Sequence, residues 1–192
     1  NIYIIIIAFH MERFLALVIL LLSSPLILAI SILIKFDSNG PIVFWSQRFG
    51  KNNELFLMPK FRTMFIETPQ VATHLLERPE NYTTRVGNFL RKSSLDELPQ
   101  LLSIIRGKMS FVGPRPALYN QVDLIEMRTK NDIHLLSPGL TGWAQVNGRD
   151  ELSIEQKVGF ELEYKNRKSL KFDLYVVLLT FLKLLKKEGI SH

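Results

Sequence analysis

The strongest apolar signal lies near the beginning of the chain. From Phe14 to Ile34 no residue carries a charge, and only Ser23, Ser24, Pro25 and Ser31 interrupt the hydrophobic run. At about 1.5 Å of rise per residue, a helix over these 21 positions is roughly as long as a bilayer core is thick. The run is too long for a secretory signal peptide, and Lys35, Phe36 and Asp37 follow it where a small-residue cleavage site would stand. Ile2–Phe9 is also apolar and is expected in the interface or the membrane.

Pro25 sits near the middle of this run. A proline there removes one backbone hydrogen bond and clashes with the carbonyl four residues back, so the helix is expected to bend. The hydroxyls of Ser23 and Ser24 are placed to satisfy the freed carbonyls. Two readings follow: a re-entrant hairpin that enters and leaves on one face, or an ordinary spanning anchor with a mild kink. Lys35, Arg48, Lys51, Lys60 and Arg62 come soon after, and this basic excess predicts a cytoplasmic body.

Beyond the apolar run the periodicities shorten. Ile42–Trp45 and Leu55–Met58 read as strands around the turn-rich Gly50-Lys51-Asn52-Asn53. Phe65–Tyr82 carries two prolines and weak periodicity, which predicts a surface excursion. Leu98, Leu101, Leu102 and Ile105 follow helical spacing up to Gly107, and Ser153-Ile154-Glu155-Gln156 has the form of a capping box opening a helix toward Asn166. Asp173 is placed to cap a last helix with a stripe of Leu174, Val177, Leu178, Phe181, Leu182 and Leu185. That stripe, edged by Lys183, Lys186 and Lys187, suits either an anionic membrane surface or a core-facing helix with basic residues at its C-terminal dipole.

Composition narrows the chemistry. The chain has 192 residues, enough for one domain beside a membrane element, and a formal charge of +6 that calls for an anionic partner: nucleic acid, lipid headgroups or a phosphorylated small molecule. Cysteine is absent, which excludes disulfides, thiolate nucleophiles and cysteine-ligated zinc. The nucleotide-binding glycine loops, the HExxH pattern and the nucleophile elbow are missing, and the four histidines lack ligand spacing. Carboxylates and fixed cations remain.

The densest cluster is Asp96-Glu97 within Ser94-Leu95-Asp96-Glu97-Leu98-Pro99-Gln100. A purely structural account is available, because Ser94-x-x-Glu97 is itself a capping-box pattern, although Pro99 fits a first helical position better than a fifth. The chemical account is that a helix start keeps carboxylates ionised and attracts phosphate, with Arg91 and Lys92 just upstream. An ionised aspartate near Mg²⁺ and cationic side chains can attack phosphorus. Lys60-Phe61-Arg62-Thr63-Met64 places Lys60 and Arg62 on one strand face by alternation. Gly113-Pro114-Arg115-Pro116 holds Arg115 between two prolines, a rigid setting for bidentate phosphate contact. For each cation a solvated surface role is the alternative.

Taken in order, Ser24-Pro25, Lys60–Met64, Ser94–Gln100, Gly107–Pro116 and the run Pro138-Gly139-Leu140-Thr141-Gly142-Trp143-Ala144-Gln145-Val146-Asn147-Gly148-Arg149 closely resemble the bacterial sugar transferase family. These are monotopic polyprenyl-phosphate phosphoglycosyl transferases, and the likeness is to small members that are little more than a catalytic core. The resemblance implies a ping-pong transfer of a sugar-1-phosphate from a UDP-sugar to polyprenyl (undecaprenyl) phosphate, releasing UMP and initiating glycan assembly. By the same resemblance Asp96 is the nucleophile and Glu97 a Mg²⁺ ligand or base, so the pair forms the metal site. Lys60, Arg62, Arg91, Arg115 and Arg149 are then the phosphate-binding set. Partners implied are membrane lipids and possible later glycosyltransferases, with no nucleic acid. The location implied is the inner membrane, with the catalytic domain facing the cytoplasm.

The expected fold is α+β and mostly helical. A membrane-embedded segment over 1–36 is re-entrant and bent at Ser24-Pro25; a catalytic domain over 37–192 carries interfacial amphipathic helices and a small β element. The chain departs from the family pattern just before the membrane helix, where relatives carry a Lys/Arg pair and this chain has Ala8, Phe9 and His10. The alternative from another class is a non-catalytic membrane scaffold that recruits glycosylation enzymes.

Overall fold

The computed structural model describes residues 2–69, 78–148 and 151–186. Helix α1 (Ile2–Leu22) and helix α2 (Ser24–Asp37) meet at Ser23, and the stretches His10–Leu22 and Ser24–Asp37 are bent by 60°. The break follows from Pro25, whose missing N–H leaves the Leu21 carbonyl without its helical donor. Ser24 Oγ donates to that carbonyl at 2.7 Å, while Ser23 Oγ donates to Ile19 O at 2.7 Å and Leu20 O at 3.2 Å. Among the described residues no single helix is long and apolar enough to cross a membrane; the bent pair passes that test together.

Strands β1 (Val43–Phe49) and β2 (Leu55–Phe61) form the expected antiparallel hairpin, each running past the sequence-predicted end. The two halves share core clusters with β2, α1 packing mainly on Leu101–Ile105 and α2 on Arg85–Lys92. Ala16 of α1 joins Met58, Leu101, Ile104 and Met109 in one core cluster, and Ile30 and Ile34 of α2 join Phe61 and Leu90 in another. The excursion after β2 is closed at its neck, where Met64 pairs with Thr83 and Phe65 N–H donates to Tyr82 O at 2.9 Å.

Helix α3 (Arg85–Lys92), capped by Thr84, leads to a 3₁₀ segment, Leu95–Gln100, and then α4 (Leu101–Ile105). Strand β3 (Ser110–Val112) is followed by β4 (Ala117–Leu118), which adds to β1, and by α5 (Val122–Lys130). Strand β5 (Gly139–Thr141) pairs in parallel with β3 and precedes the short α6 (Trp143–Val146). Two sequence motifs meet there: a Cβ on Gly139 would stand 2.1 Å from the Gly113 nitrogen, so both loops need glycine to approach.

Helix α7 (Ile154–Arg167) opens with the expected capping box of Ser153 and Gln156. Helix α8 (Leu170–Lys186) starts earlier than Asp173 predicts: Ser169 Oγ accepts from Phe172 N–H, and Asp173 Oδ1 instead accepts from the Tyr164 hydroxyl at 2.8 Å. The face of α8 that enters the core is Phe172, Val176 and Leu179, and the stripe of Leu174, Val177, Leu178, Phe181 and Leu182 is exposed. The core-facing reading of that stripe is therefore corrected: a neighbouring face fills the core. The whole is α+β, mostly helical, with a small β element.

Candidate active site

Three elements converge on the paired carboxylates. Strand β2 supplies Lys60, the 3₁₀ segment supplies Asp96 and Glu97, and the proline-flanked loop after β3 supplies Arg115. Lys60 Nζ lies 2.8 Å from Glu97 Oε1 and 3.5 Å from Asp96 Oδ2; Arg115 donates to the same Glu97 oxygen at 2.9 Å. Asp96 and Glu97 are 8% and 9% exposed, so the ion pairs are sheltered from solvent screening.

The local backbone explains how neighbouring carboxylates reach one lysine. Ser94 adopts φ +56 and makes no side-chain cap, so the capping-box reading of Ser94 and Glu97 is not realised. This left-handed residue ends α3 and turns the chain into 3₁₀ geometry, in which Pro99 is accommodated before α-helical bonding resumes at Leu101.

Burial pushes the Asp96 carboxyl above the ordinary carboxylate range; the Lys60 charge pulls it back, the Glu97 charge adds to the rise, and Arg115 lowers it. The sequence-based picture of a carboxylate simply held charged by a helix start is thus replaced by one in which desolvation is the largest influence. Such a site gains from further positive charge. Two adjacent carboxylates are hard oxygen donors of the kind Mg²⁺ uses together with substrate phosphates, so the residues fit that ion.

The other expected residues fall in three places. Arg91 stands in the last turn of α3, which packs against the segment bearing the carboxylates. Arg62 does not join them. It is 5% exposed, and its guanidinium donates to the backbone carbonyls of Ser38 and Asn39. Arg149 lies outside the described residues. Sequence reasoning missed Arg48, whose guanidinium donates to Pro116 O at 3.1 Å and to Ser46 Oγ at 3.0 Å, holding the loop that carries Arg115. The only sequence signal for it was a polar pair, Ser46 and Arg48, on one strand face.

A family model described as bacterial sugar transferase matches residues 5–187. The chain is 41% identical over 179 residues to a UDP-glucose:undecaprenyl-phosphate glucose-1-phosphate transferase of Escherichia coli (strain K12), covering 88% of this chain and 38% of that protein. It is 40% identical over 177 residues to the exopolysaccharide production protein ExoY of Rhizobium meliloti (strain 1021), covering 84% of this chain and 77% of that one. A UDP-N-acetylgalactosamine-undecaprenyl-phosphate N-acetylgalactosaminephosphotransferase of Aeromonas hydrophila is 36% identical over 164 residues, 83% of this chain and 39% of its own. The chain therefore spans about two fifths of the length of the first and third of these relatives.

Proposed function

The chain belongs to the bacterial sugar transferase family, and from that premise we propose that it transfers a sugar-1-phosphate from a UDP-sugar to undecaprenyl phosphate in two steps through Asp96. The observation that carries the reading is the Lys60–Asp96–Glu97–Arg115 cluster, sheltered and lined by fixed cations. In the first step an Asp96 oxygen attacks the sugar-proximal phosphorus. The new O–P bond forms as the bond to the bridging oxygen breaks, and UMP departs with that oxygen. In the second step a phosphate oxygen of the lipid attacks the same phosphorus. The Asp96 O–P bond breaks, the carboxylate is restored, and the product is a polyprenyl diphosphate sugar.

Lys60, Arg115 and Arg91 hold phosphate oxygens and offset the repulsion between the diphosphate and the carboxylate pair. Asp96 and Glu97 would hold Mg²⁺, which when bound neutralises charge on the diphosphate. One phosphoanhydride is exchanged for another, so the reaction needs no ATP site.

The bent apolar pair supplies the lipid side. Its 60° break, the serine hydroxyls on the freed carbonyls and the anchoring of each half in a core cluster of the body support a re-entrant hairpin in the inner membrane with the body in the cytoplasm. The exposed apolar stripe of α8, with Lys183 beside it, suits a helix lying on the same surface.

The test is intact-mass measurement on protein in nanodiscs. Incubation with Mg²⁺ and UDP-glucose, UDP-galactose or UDP-N-acetylgalactosamine, without lipid, should yield an adduct of phosphosugar mass and one equivalent of UMP. Turnover should begin only when undecaprenyl phosphate is added. Turnover without any adduct or initial UMP release would remove the covalent step, and no turnover with any UDP-sugar would favour the scaffold.

A further inference from the structure

The loop that leaves the bent pair is fastened to the strand that carries Lys60. Arg62, just past the end of β2, donates from Nη2 to Ser38 O at 2.8 Å and from Nη1 to Asn39 O. Gly40 follows at φ +121, and a Cβ there would stand 2.5 Å from Arg62 Nη1 and 2.4 Å from Ile66 Cδ1. A side chain at this position is thus incompatible with the arginine in its observed pose. Lys35 Nζ donates to Gly40 O at 2.8 Å from the last turn of α2. Just before the loop, Asp37 Oδ2 accepts from Val86 N–H at 3.0 Å, at the start of the helix that leads to the catalytic carboxylates.

An arginine that is 5% exposed and has both terminal nitrogens on backbone carbonyls is not presented to a substrate phosphate. Its Nε is buried without an acceptor, a cost that a solvated arginine would avoid. What the fork does hold is the loop leaving the bent pair, at Ser38 and Asn39, against the end of β2. Lys60, Asp96, Glu97 and Arg115 are positioned by β2, the 3₁₀ segment and the loop after β3, none of which includes residues 38–40.

Resting on the two-step reaction proposed above, we infer that Arg62 is a positioning residue that sets the membrane-embedded pair, and with it the lipid acceptor, against the catalytic strand. The donor half-reaction uses a soluble substrate and the body's own cations, so it does not depend on this clasp. The acceptor half-reaction does.

Arg62→Gln breaks the fork, and Gly40→Ala displaces it while leaving the arginine in the chain. In nanodiscs, adduct formation with the UDP-sugar that labels the unmodified protein is timed by intact mass. Undecaprenyl phosphate is then added to the preformed adduct and transfer is timed separately. Adduct formation and the donor KM are expected to stay within about twofold, while transfer at subsaturating lipid falls on the order of tenfold or more with a raised acceptor KM, as a displacement near 1 Å would cause. An acceptor-selective loss in either variant supports the clasp. Its absence from both, whether through equal loss of the two steps, a defect on the donor side alone, or no loss, overturns it. Unmodified protein that forms no adduct would instead sink the two-step reaction, and that result is read before either variant.

Discussion

Lys60 Nζ lies 2.8 Å from Glu97 Oε1 and is 0.7 Å farther, at 3.5 Å, from the neighbouring carboxylate of Asp96. Arg115 adds a second cation to that same Glu97 oxygen. The two carboxylates are therefore unequal: Glu97 is doubly paired, and Asp96 is desolvated with weaker compensation. On the proposed reaction this division suits Glu97 to organise the site and Asp96 to react.

A pH dependence follows. Burial raises the Asp96 carboxyl above the ordinary range, and only the ionised form attacks phosphorus. The acid limb of kcat/KM for the UDP-sugar should accordingly lie at higher pH than an unperturbed aspartate would give. Lys60 is the largest influence lowering that carboxyl, so Lys60→Met should move the limb higher still, besides weakening donor binding. A limb that stays fixed in Lys60→Met would show that Asp96 is not the group being titrated.

Stability and activity should separate at the same residue. With a folded-state value raised above the unfolded one, Asp96 favours folding below the unfolded value and loses that contribution as pH rises through the folded value. Asp96→Asn removes the buried charge, so at neutral pH the variant should be at least as stable as the parent while forming no adduct. Glu97→Gln should be destabilised by about 1–3 kcal/mol, because Lys60 and Arg115 both lose their charged acceptor. Thermal unfolding in matched nanodiscs measures both, and a large loss for Asp96→Asn would contradict the assignment of burial as the dominant influence.

Local chemistry was the legible part of this molecule. Pro25 and its two serines dictate a bend through backbone bonds within four residues, and the hairpin around Gly50-Lys51-Asn52-Asn53 follows from turn residues between apolar runs. The pairing of Lys60 with Asp96 and Glu97 joins positions far apart in the chain, and only resemblance to a family placed them together. Arg62 shows where a periodic rule stops. Alternation puts it on the face of Lys60, but β2 ends at Phe61 and the next residue turns toward Ser38 and Asn39. Ser94 and Asp173 both sit where a cap is plausible, yet one adopts φ +56 and the other is drawn to Tyr164, choices set by tertiary contacts.

A buried ion pair outside the Lys60–Asp96–Glu97–Arg115 cluster offers a control. Arg128 of α5 is bonded through two nitrogens to both carboxylate oxygens of Glu161 on α7, with side chains 8% and 2% exposed. Glu161→Gln leaves a buried guanidinium without its counter-charge, which costs about 3–5 kcal/mol. Activity per folded molecule should be retained below the lowered melting temperature. Equal stability in that variant would mean that solvent reaches the pair.

The hairpin makes a topological claim that labelling can decide. The sequence has no cysteine, so Met11→Cys and Asn39→Cys each introduce a single reactive site, one at the head of the bent pair, ahead of its uncharged run, and one after it returns. If both halves enter and leave on the cytoplasmic face, an impermeant maleimide should modify both positions in inside-out vesicles and neither in right-side-out vesicles. Pro25→Ala restores an N–H for the Leu21 carbonyl that Ser24 now satisfies at 2.7 Å, removing the reason for the break. In that variant the helix can straighten, and position 11 should become labelled from the outer face in part of the population. Opposite-sided labelling of 11 and 39 in the unmodified chain would mean a spanning helix, with the bend serving only to place Ala16 and Ile30 in their separate core clusters.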